Sequence, residues 1–334
     1  MAEEIVRIEG LIKYFFTKQG IVRAVDNVSF SIFQGETLGL VGESGSGKTT
    51  VAHTLGGIYK ATGGKAFYKD QSLNNDYSGR SKTLKKEIRI VFQDPGSSLN
   101  PRWSIKQILE LPLKVHGTSG NKDRMGVIIE LLRMVELPPE EYLYKYPQTI
   151  GGGEKQMVAI ARALATDPSF IALDEPTSAL DVSIQAKIIN LLMRLQKKLN
   201  LTYLFITHDL SLMRNLANRV AIMYLGKISE VAPTMEFFQQ PLHPYTKMLL
   251  SSIPVISDEE EGLKPERVVS RGEIPSPVNV PPGCSFHLRC PQCMEICSRV
   301  DPTMVEIKKS HLVRCHLFPG SPSSQSVRKE VTSE

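Results

Sequence analysis

Cysteine is absent from residues 1–283 of this 334-residue chain. The large N-terminal part therefore works without thiol chemistry. No apolar run follows a basic start, so the sequence predicts no signal peptide. No stretch approaches the roughly 18 apolar residues that a membrane-spanning helix needs. Together these absences predict a cytoplasmic chain, with any membrane role coming through docking on a partner. Excess charge is also scarce. The formal net charge is +5, and no Lys/Arg block resembles a nucleic-acid-binding tail. The short KTLKKE stretch at Lys82–Glu87 reads as a solvated surface segment. No internal repeat is found.

What is present suits a folded chain. Hydrophobic residues make up 41% and charged residues 22%. The length allows one large core plus a smaller appended module. Strands are predicted at Val6–Leu11, at Val22–Phe33 with a bend near Asp26–Asn27, and at Thr37–Val41, Gly63–Tyr68 and Ile88–Phe92. Residues 94–146 change character. A turn-rich start gives way to apolar positions at helical spacing through Ile105–Leu113 and Val127–Val135, so this reads as a helical insertion. Lys155–Ala165 and Ile184–Leu199 read as helices. Ser169–Leu173, Tyr203–Thr207 and Val220–Tyr224 read as strands. Such strand–helix alternation predicts an α/β domain with a largely parallel core sheet. Past Pro241–Pro244 come a helix-like Tyr245–Ser251, an acidic stretch through Glu266, and a Pro-rich Gly272–Gly283 that must be mostly extended. The polar, Ser-rich Gly320–Glu334 is expected to be disordered.

The strand Thr37–Val41 runs straight into GESGSGKTT at Gly42–Thr50, and a predicted helix Lys48–Leu55 follows. In this pattern Gly42, Gly45 and Gly47 let backbone N–H groups turn inward on an anion. Ser44, Ser46 and Thr50 complete the turn, and the helix adds its positive end. Lys48 would reach the β- and γ-phosphates of a nucleoside triphosphate, and Thr49 would place its hydroxyl on Mg²⁺. Asp174 and Glu175 end another apolar strand. Asp174 is the expected second Mg²⁺ partner, and Glu175 could polarise an attacking water. Taken alone, this pair reads equally well as a cap before Pro176. His208 ends the strand Tyr203–Thr207, where it can meet the γ-phosphate and orient water. Gln93 ends a further strand and can offer its amide oxygen to Mg²⁺ or water.

With these motifs in order, the chain resembles the ATP-binding subunit of an ABC transporter, of the oligopeptide/dipeptide importer group. The resemblance runs over roughly residues 5–318. Gly42–Thr49 matches the Walker A turn, Gln93 the Q-loop, and IGGGEKQ at Ile150–Gln156 the signature motif. Phe170–Glu175 matches Walker B, Ser178–Asp181 the D-loop, and His208 the switch histidine. Phe15 falls at the family's adenine-stacking aromatic, with Tyr14 a weaker candidate. The stretches at Asp94–Arg102, Ala179–Ala186 and Pro241–Thr246 resemble the peptide-importer group in particular.

The resemblance implies a P-loop NTPase core with an antiparallel β subdomain, a helical subdomain at residues 94–157 and a small Cys-rich C-terminal module. It divides the chain into residues 1–240, 241–318 and a tail at 319–334. It implies a head-to-tail pair of such subunits, of two different chains or of one. Each ATP is then sandwiched between one turn and the other subunit's signature, here Gly151, Gly152 and Gly153, with Asp181 nearby. It also implies two membrane permease subunits, docked on the helical insertion and the Gln93 loop at the cytoplasmic face of the membrane. An extracytoplasmic peptide-binding protein acts indirectly, and no nucleic acid is involved. One departure stands out. The family usually has Ser where this chain has Gly151, so a hydroxyl bond to the γ-phosphate across the pair is absent. Such a bond is worth roughly 1.5–3 kcal/mol. Met157 stands where the family usually has Arg.

All five cysteines lie between Cys284 and Cys315, with His287, His311 and His316 among them. Thiolates this close favour Zn²⁺ or an iron–sulfur cluster, and spacing alone does not choose between these or rule out unmetallated thiols. The resemblance points to a [4Fe-4S] cluster on Cys284, Cys290, Cys297 and Cys315, with Cys293 a nearby spare thiol. Two other functions compete. One is a soluble ABC-type ATPase acting on ribosomes or in DNA repair, although neither a second cassette nor a long coiled-coil insertion is seen. The other is a metal-binding scaffold or sensor that binds nucleotide without turnover, which Glu175 and His208 argue against.

Overall fold

The structure is a computed structural model, and it describes residues 3–74, 76–116, 124–253, 272–318 and 320. The acidic stretch before Glu266 and the Ser-rich tail, apart from Gly320, lie outside the described residues. The first half of the chain supplies strands β1 (Glu4–Thr17), β2 (Gly20–Phe33), β3 (Thr37–Val41), β4 (Gly63–Tyr68), β5 (Gln71–Ser72) and β6 (Ile88–Val91). The second half supplies β7 (Phe170–Asp174), β8 (Thr202–Thr207), β9 (Arg219–Tyr224), β10 (Lys227–Pro233), β11 (Met304–Lys308) and β12 (His311–Arg314). A four-stranded antiparallel sheet has the order β2-β1-β4-β5, and an eight-stranded sheet has the order β11-β12-β10-β9-β3-β8-β7-β6. Within the larger sheet β6, β7, β8, β3 and β9 are parallel. β10, β12 and β11 extend it as antiparallel strands.

Helix α1 (Lys48–Leu55) follows β3, and α2 (Lys82–Glu87) precedes β6. Among the described residues, five α-helices then run between β6 and β7: α3 (Pro95–Ser98), α4 (Ile105–His116), α5 (Arg124–Met134), α6 (Pro139–Tyr142) and α7 (Gly152–Leu164). These make up the helical insertion. Beyond it come α8 (Val182–Leu199), α9 (Met213–Leu216), α10 (Thr234–Gln239) and α11 (Pro244–Ser251).

Alternation along the buried strands sends side chains to two cores. Ile171, Leu173, Tyr203 and Phe205 pack with α4, α5, α7 and α8. Phe170, Ala172, Leu204 and Ile206 pack with α1 and the antiparallel sheet. This period-two split is what a sheet covered on both faces requires. Met157 is 2% exposed within the helical core, so an apolar side chain is well accommodated there.

Three features of the structure add detail to these readings. β2 runs unbroken through Asp26–Asn27. Asn27 takes a left-handed φ of 56° at a register irregularity of the β1–β2 ladder, which Asn tolerates better than most residues. KTLKKE is a helix, α2, capped by Ser81, whose hydroxyl accepts the Leu84 N–H at 3.1 Å. Among the described residues, the region after Tyr224 holds three more strands. β12 pairs with β10 at Glu230↔Val313 and Val231↔Leu312, so residues from the Cys-rich region complete the core sheet. The Pro-rich segment lies against β2, where the Arg23 N–H donates to the Pro277 carbonyl at 3.1 Å.

Candidate functional site

The carboxyl ends of β3, β6, β7 and β8 lie side by side, because these strands are parallel neighbours. Ligands collect at such strand ends in open α/β sheets. β3 delivers the turn Gly42–Gly47 and α1. Gly47 has a φ of 107°, and a Cβ there would lie 2.0 Å from the Ala24 carbonyl oxygen. A Cβ on Gly42 would lie 2.1 Å from the Met223 carbonyl oxygen. Both positions exclude a side chain because backbone crosses them. Ser44 and Gly45 are exposed at the tip, and Ser46 is buried. The Lys48 ammonium donates to the carbonyls of Gly42 (2.7 Å) and Glu43 (2.9 Å) and to the Ser46 hydroxyl (3.4 Å). Burial lowers the Lys48 pKa, against the raising charges of Glu175, Asp174 and Glu43. Thr50 offers its carbonyl to the Thr54 hydroxyl at 2.7 Å, inside α1.

β7 delivers Asp174 to the same place. Its Oδ1 accepts from the Thr49 hydroxyl at 2.9 Å. Asp174 is 2% exposed. Burial raises its pKa, opposed by the Thr49 hydrogen bond and by His53. A divalent cation beside this hydroxyl and carboxylate would favour the charged form. His53 was not singled out from the sequence. Its Nε2 lies 3.6 Å from Asp174 Oδ2, and burial lowers its pKa. The signal was available, since His53 lies four residues after Thr49 and so on the same helix face.

Glu175, the next residue, has a φ of 44°. That left-handed backbone costs a residue with a side chain about 1–3 kcal/mol. It is held by the Glu175 N–H, which donates to the Ile206 carbonyl of β8 at 3.0 Å. The Gln93 amide nitrogen donates to Glu175 Oε2 at 3.0 Å. His208 Nδ1 lies 3.4 Å from the same oxygen. The ends of β6, β7 and β8 thus bring Gln93, Glu175 and His208 onto one carboxylate.

Other sequence candidates lie apart from this centre. Gly151 caps α7, and its N–H donates to Glu154 Oε2 at 2.7 Å. Tyr142 donates its hydroxyl to the other oxygen of Glu154. The carboxylate it faces helps push the Tyr142 pKa up to about 12. Gly152 faces Leu180, and Gly153 packs so closely on Ile184 that a Cβ would lie 2.4 Å from its Cγ2. Asp181 caps α8, accepting from Ile184 N at 3.0 Å and from the Ser183 hydroxyl at 2.7 Å. These bonds lower its pKa. Phe15 sits in β1 opposite Val22, with the Tyr59 ring edge-on at 5.1 Å and the Lys13 ammonium 4.8 Å from its centroid. The Tyr14 hydroxyl instead donates to Asp26 at 2.6 Å.

At the far end of the chain, Cys284, Cys290, Cys297 and Cys315 lie within electrostatic reach of one another. Burial, with a smaller contribution from neighbouring thiols, pushes Cys284 up to about 12 and Cys290 and Cys315 up to about 11. The Cys297 carbonyl accepts the Cys284 N–H at 2.8 Å. Cys293 is exposed. Among the described residues, no group of three or more His, Cys, Asp or Glu side chains is arranged to hold a metal ion. The single-ion cage that the zinc alternative needs is therefore not formed among the described residues.

The comparisons bear on the whole chain. A family described as "ABC transporter" matches residues 25–178. A second, described as "Oligopeptide/dipeptide transporter, C-terminal region", matches residues 229–297. The chain is 46% identical over 324 residues to the oligopeptide transport ATP-binding protein AppF of Bacillus subtilis, covering 95% of this chain and 98% of that protein. It is 42% identical over 312 residues to the dipeptide transport ATP-binding protein DppF of Haemophilus influenzae, covering 92% and 94%. Among solved structures it is similar to the dimeric post-hydrolysis state of the ATP-binding cassette MJ0796 bound to ADP and Pi. That likeness has a TM-score of 0.63 at 30% identity and covers 69% of this chain and 99% of that one. A P-loop turn, a carboxylate pair and a strand-end histidine on this sheet, with likeness at both ends of the sequence, lead to one assignment: the chain belongs to the ATP-binding subunits of ABC transporters of the oligopeptide/dipeptide group.

Proposed function

We propose that this chain hydrolyses ATP to power import of oligopeptides or dipeptides through a membrane permease. The observation that carries the reading is the convergence of Gln93 and His208 on Glu175, beside the Lys48 turn and the Thr49–Asp174 pair. In this reading Lys48 and the turn hold the β- and γ-phosphates. Thr49, Asp174 and Gln93 would hold Mg²⁺, which would neutralise phosphate charge. Glu175 polarises the attacking water, and His208 contacts the γ-phosphate. Phe15 stacks on adenine. Gly151, Gly152, Gly153 and Asp181 serve the ATP of a second cassette. Residues 1–240 form the ATPase unit, and residues 241–318 form the C-terminal module.

Partners follow from the same reading. A second ATP-binding subunit pairs head to tail, and two permease subunits dock from the membrane. A groove of about 360 Å³ beside the helical insertion supports this docking. Ile58, Tyr77, Ile90, Phe92, Leu111 and Val115 line it, and Leu111 and Val115 are 44% and 65% exposed. An apolar groove of this kind suits a short helix from a membrane subunit. No helix of the described residues is long and apolar enough to cross a membrane itself. The chain would then sit at the cytoplasmic face.

The deciding experiment is Glu175→Gln in the complex with its permease. ATP should remain bound and unhydrolysed, with turnover reduced by at least about 100-fold. Turnover at the wild-type rate would refute the role of Glu175.

The same reading gives Cys284, Cys290, Cys297 and Cys315 a [4Fe-4S] cluster, with Cys293 left as a spare. The donor set supports it, because each iron of such a cluster takes one thiolate and the sulfurs need not converge on one atom. Anaerobically purified protein should show a broad absorption band near ~400 nm. A colourless, iron-free sample would remove the cluster from the reading.

A further inference from the structure

Glu43 is an unexpected residue for a turn that must receive a polyanion. Its carboxylate acts on the Lys48 ammonium, which also donates to the Glu43 carbonyl at 2.9 Å. An unmasked negative charge at this position opposes phosphate binding directly. The structure shows what masks it. Arg289, from the segment between Cys284 and Cys290, donates Nη1 to Glu43 Oε2 at 2.8 Å and Nη2 to Glu43 Oε1 at 3.1 Å. This two-pronged geometry is one that guanidinium provides and ammonium does not. Arg289 is 7% exposed, and its guanidinium lies 5.7 Å from the Tyr224 ring and 5.9 Å from the Phe286 ring. The backbone of Glu43 is held from the same side, since its N–H donates to the Tyr245 hydroxyl of α11 at 3.1 Å. Tyr224, Tyr245 and Phe286 pack ring on ring at 4.6–5.4 Å. A rigid aromatic wedge therefore fixes the arginine that covers the carboxylate.

We propose that Arg289 is a positioning residue for ATP: it neutralises Glu43, so that the C-terminal module sets the charge of the phosphate-binding turn. The inference rests on the reading of Gly42–Thr50 as the phosphate site. Nothing in the hydrolytic centre requires this link, because Gln93, Glu175 and His208 are positioned by β6, β7 and β8. The module thus acts on nucleotide affinity and leaves the chemistry to the sheet. Its effect grows with the charge of the nucleotide, being larger for ATP than for ADP.

The test is calorimetric titration of the full chain with MgATP and with MgADP. Arg289→Gln should weaken MgATP binding by about 10-fold, and MgADP binding by less. The double variant Glu43→Gln/Arg289→Gln should return to within about 3-fold of the wild type, because the charge that needed masking is gone. Glu43→Gln alone should tighten MgATP binding. Unchanged affinity in Arg289→Gln overturns the proposal, as does a double variant as weak as the single one, since lost packing is not repaired by a second substitution. If Arg289→Gln does not fold, Glu43→Gln still decides, and weaker binding there overturns the proposal. Lys48→Ala separates the two readings. Wild-type affinity in Lys48→Ala removes the phosphate-site reading itself. Loss of binding there, with Arg289→Gln unaffected, removes the charge mask alone.

Discussion

Gly151→Ser would restore the hydroxyl that the signature of this chain lacks, and the structure lets its effect be worked out. A Cβ at Gly151 meets Glu154 Oε2 at 3.6 Å, which is ordinary contact. The backbone there has φ −70° and ψ 168°, an extended conformation that serine adopts without strain. Serine in place of glycine at a helix N-cap gains only a few tenths of a kcal/mol, about 0.3. The melting temperature should therefore move by no more than about 2 °C. The hydroxyl bond to a γ-phosphate across the pair adds roughly 1.5–3 kcal/mol. At 1.4 kcal/mol per factor of ten, that is about 10- to 150-fold in closure. The assay uses a Glu175→Gln background, so that closed pairs are not drained by turnover. Sedimentation then follows assembly of the ATP-bound pair as ATP is raised. Half-assembly should need at least about 10-fold less ATP in the Gly151→Ser chain. An unchanged midpoint, with an unchanged melting temperature, would refute the claim that the missing hydroxyl weakens the composite site.

Two further outcomes are expected. Gly42→Ala places a Cβ 2.1 Å from the Met223 carbonyl oxygen, which belongs to β9 and cannot step aside, whereas a Cβ on Gly45 meets nothing within 4 Å. Gly42→Ala should cost about 3 kcal/mol or more. Gly45→Ala should cost only the left-handed backbone penalty of about 1–2 kcal/mol. Thermal melts compare the two, and a lower melting temperature for Gly45→Ala would count against the packing argument. The second outcome concerns pH. His243 is buried, and its Nδ1 accepts the Tyr245 N–H at 3.0 Å. Burial lowers its pKa to about 4, despite the charge of Glu230. The unfolded chain protonates this histidine near 6.5. Between those values the unfolded state binds more protons, so stability is full above about pH 6.5 and falls as pH drops towards about 4, by roughly 3 kcal/mol in all. Melting curves across that range should fall less steeply for His243→Asn, and parallel slopes would exclude His243 as the source.

The convergence of Gln93, Glu175 and His208 was legible in the sequence because its logic is local. Each of Gln93, Asp174, Glu175 and His208 follows an apolar strand at once, and parallel strands must end on the same side. The same holds for β3 and α1, whose observed bounds match the expected Thr37–Val41 and Lys48–Leu55. What escaped was long-range. No local pattern relates Glu43 to Arg289, 246 positions later, and none pairs β10 with β12. The helix at Lys82–Glu87 was missed for a different reason. Its charge suggested a solvated segment, while the signal lay in Ser81 as a cap and Leu84 as the one buried side chain. The four thiols show the opposite limit. Their spacing and family resemblance named a ligand set, but the arrangement of the side chains does not form a single-ion cage.

The order of strands in the eight-stranded sheet has a consequence for biosynthesis. β10 ends at Pro233, but the strand that covers its open edge, β12, begins at His311. A ribosome must add nearly 80 further residues before that edge can be closed, which takes about 4–15 s at ordinary elongation rates. During that interval the nascent cassette presents unpaired backbone groups that any other strand can join. Chains stopped short of Arg314 would remain in that condition permanently. Premature termination between β10 and β12 should therefore yield insoluble aggregates more readily than a soluble, shortened ATPase.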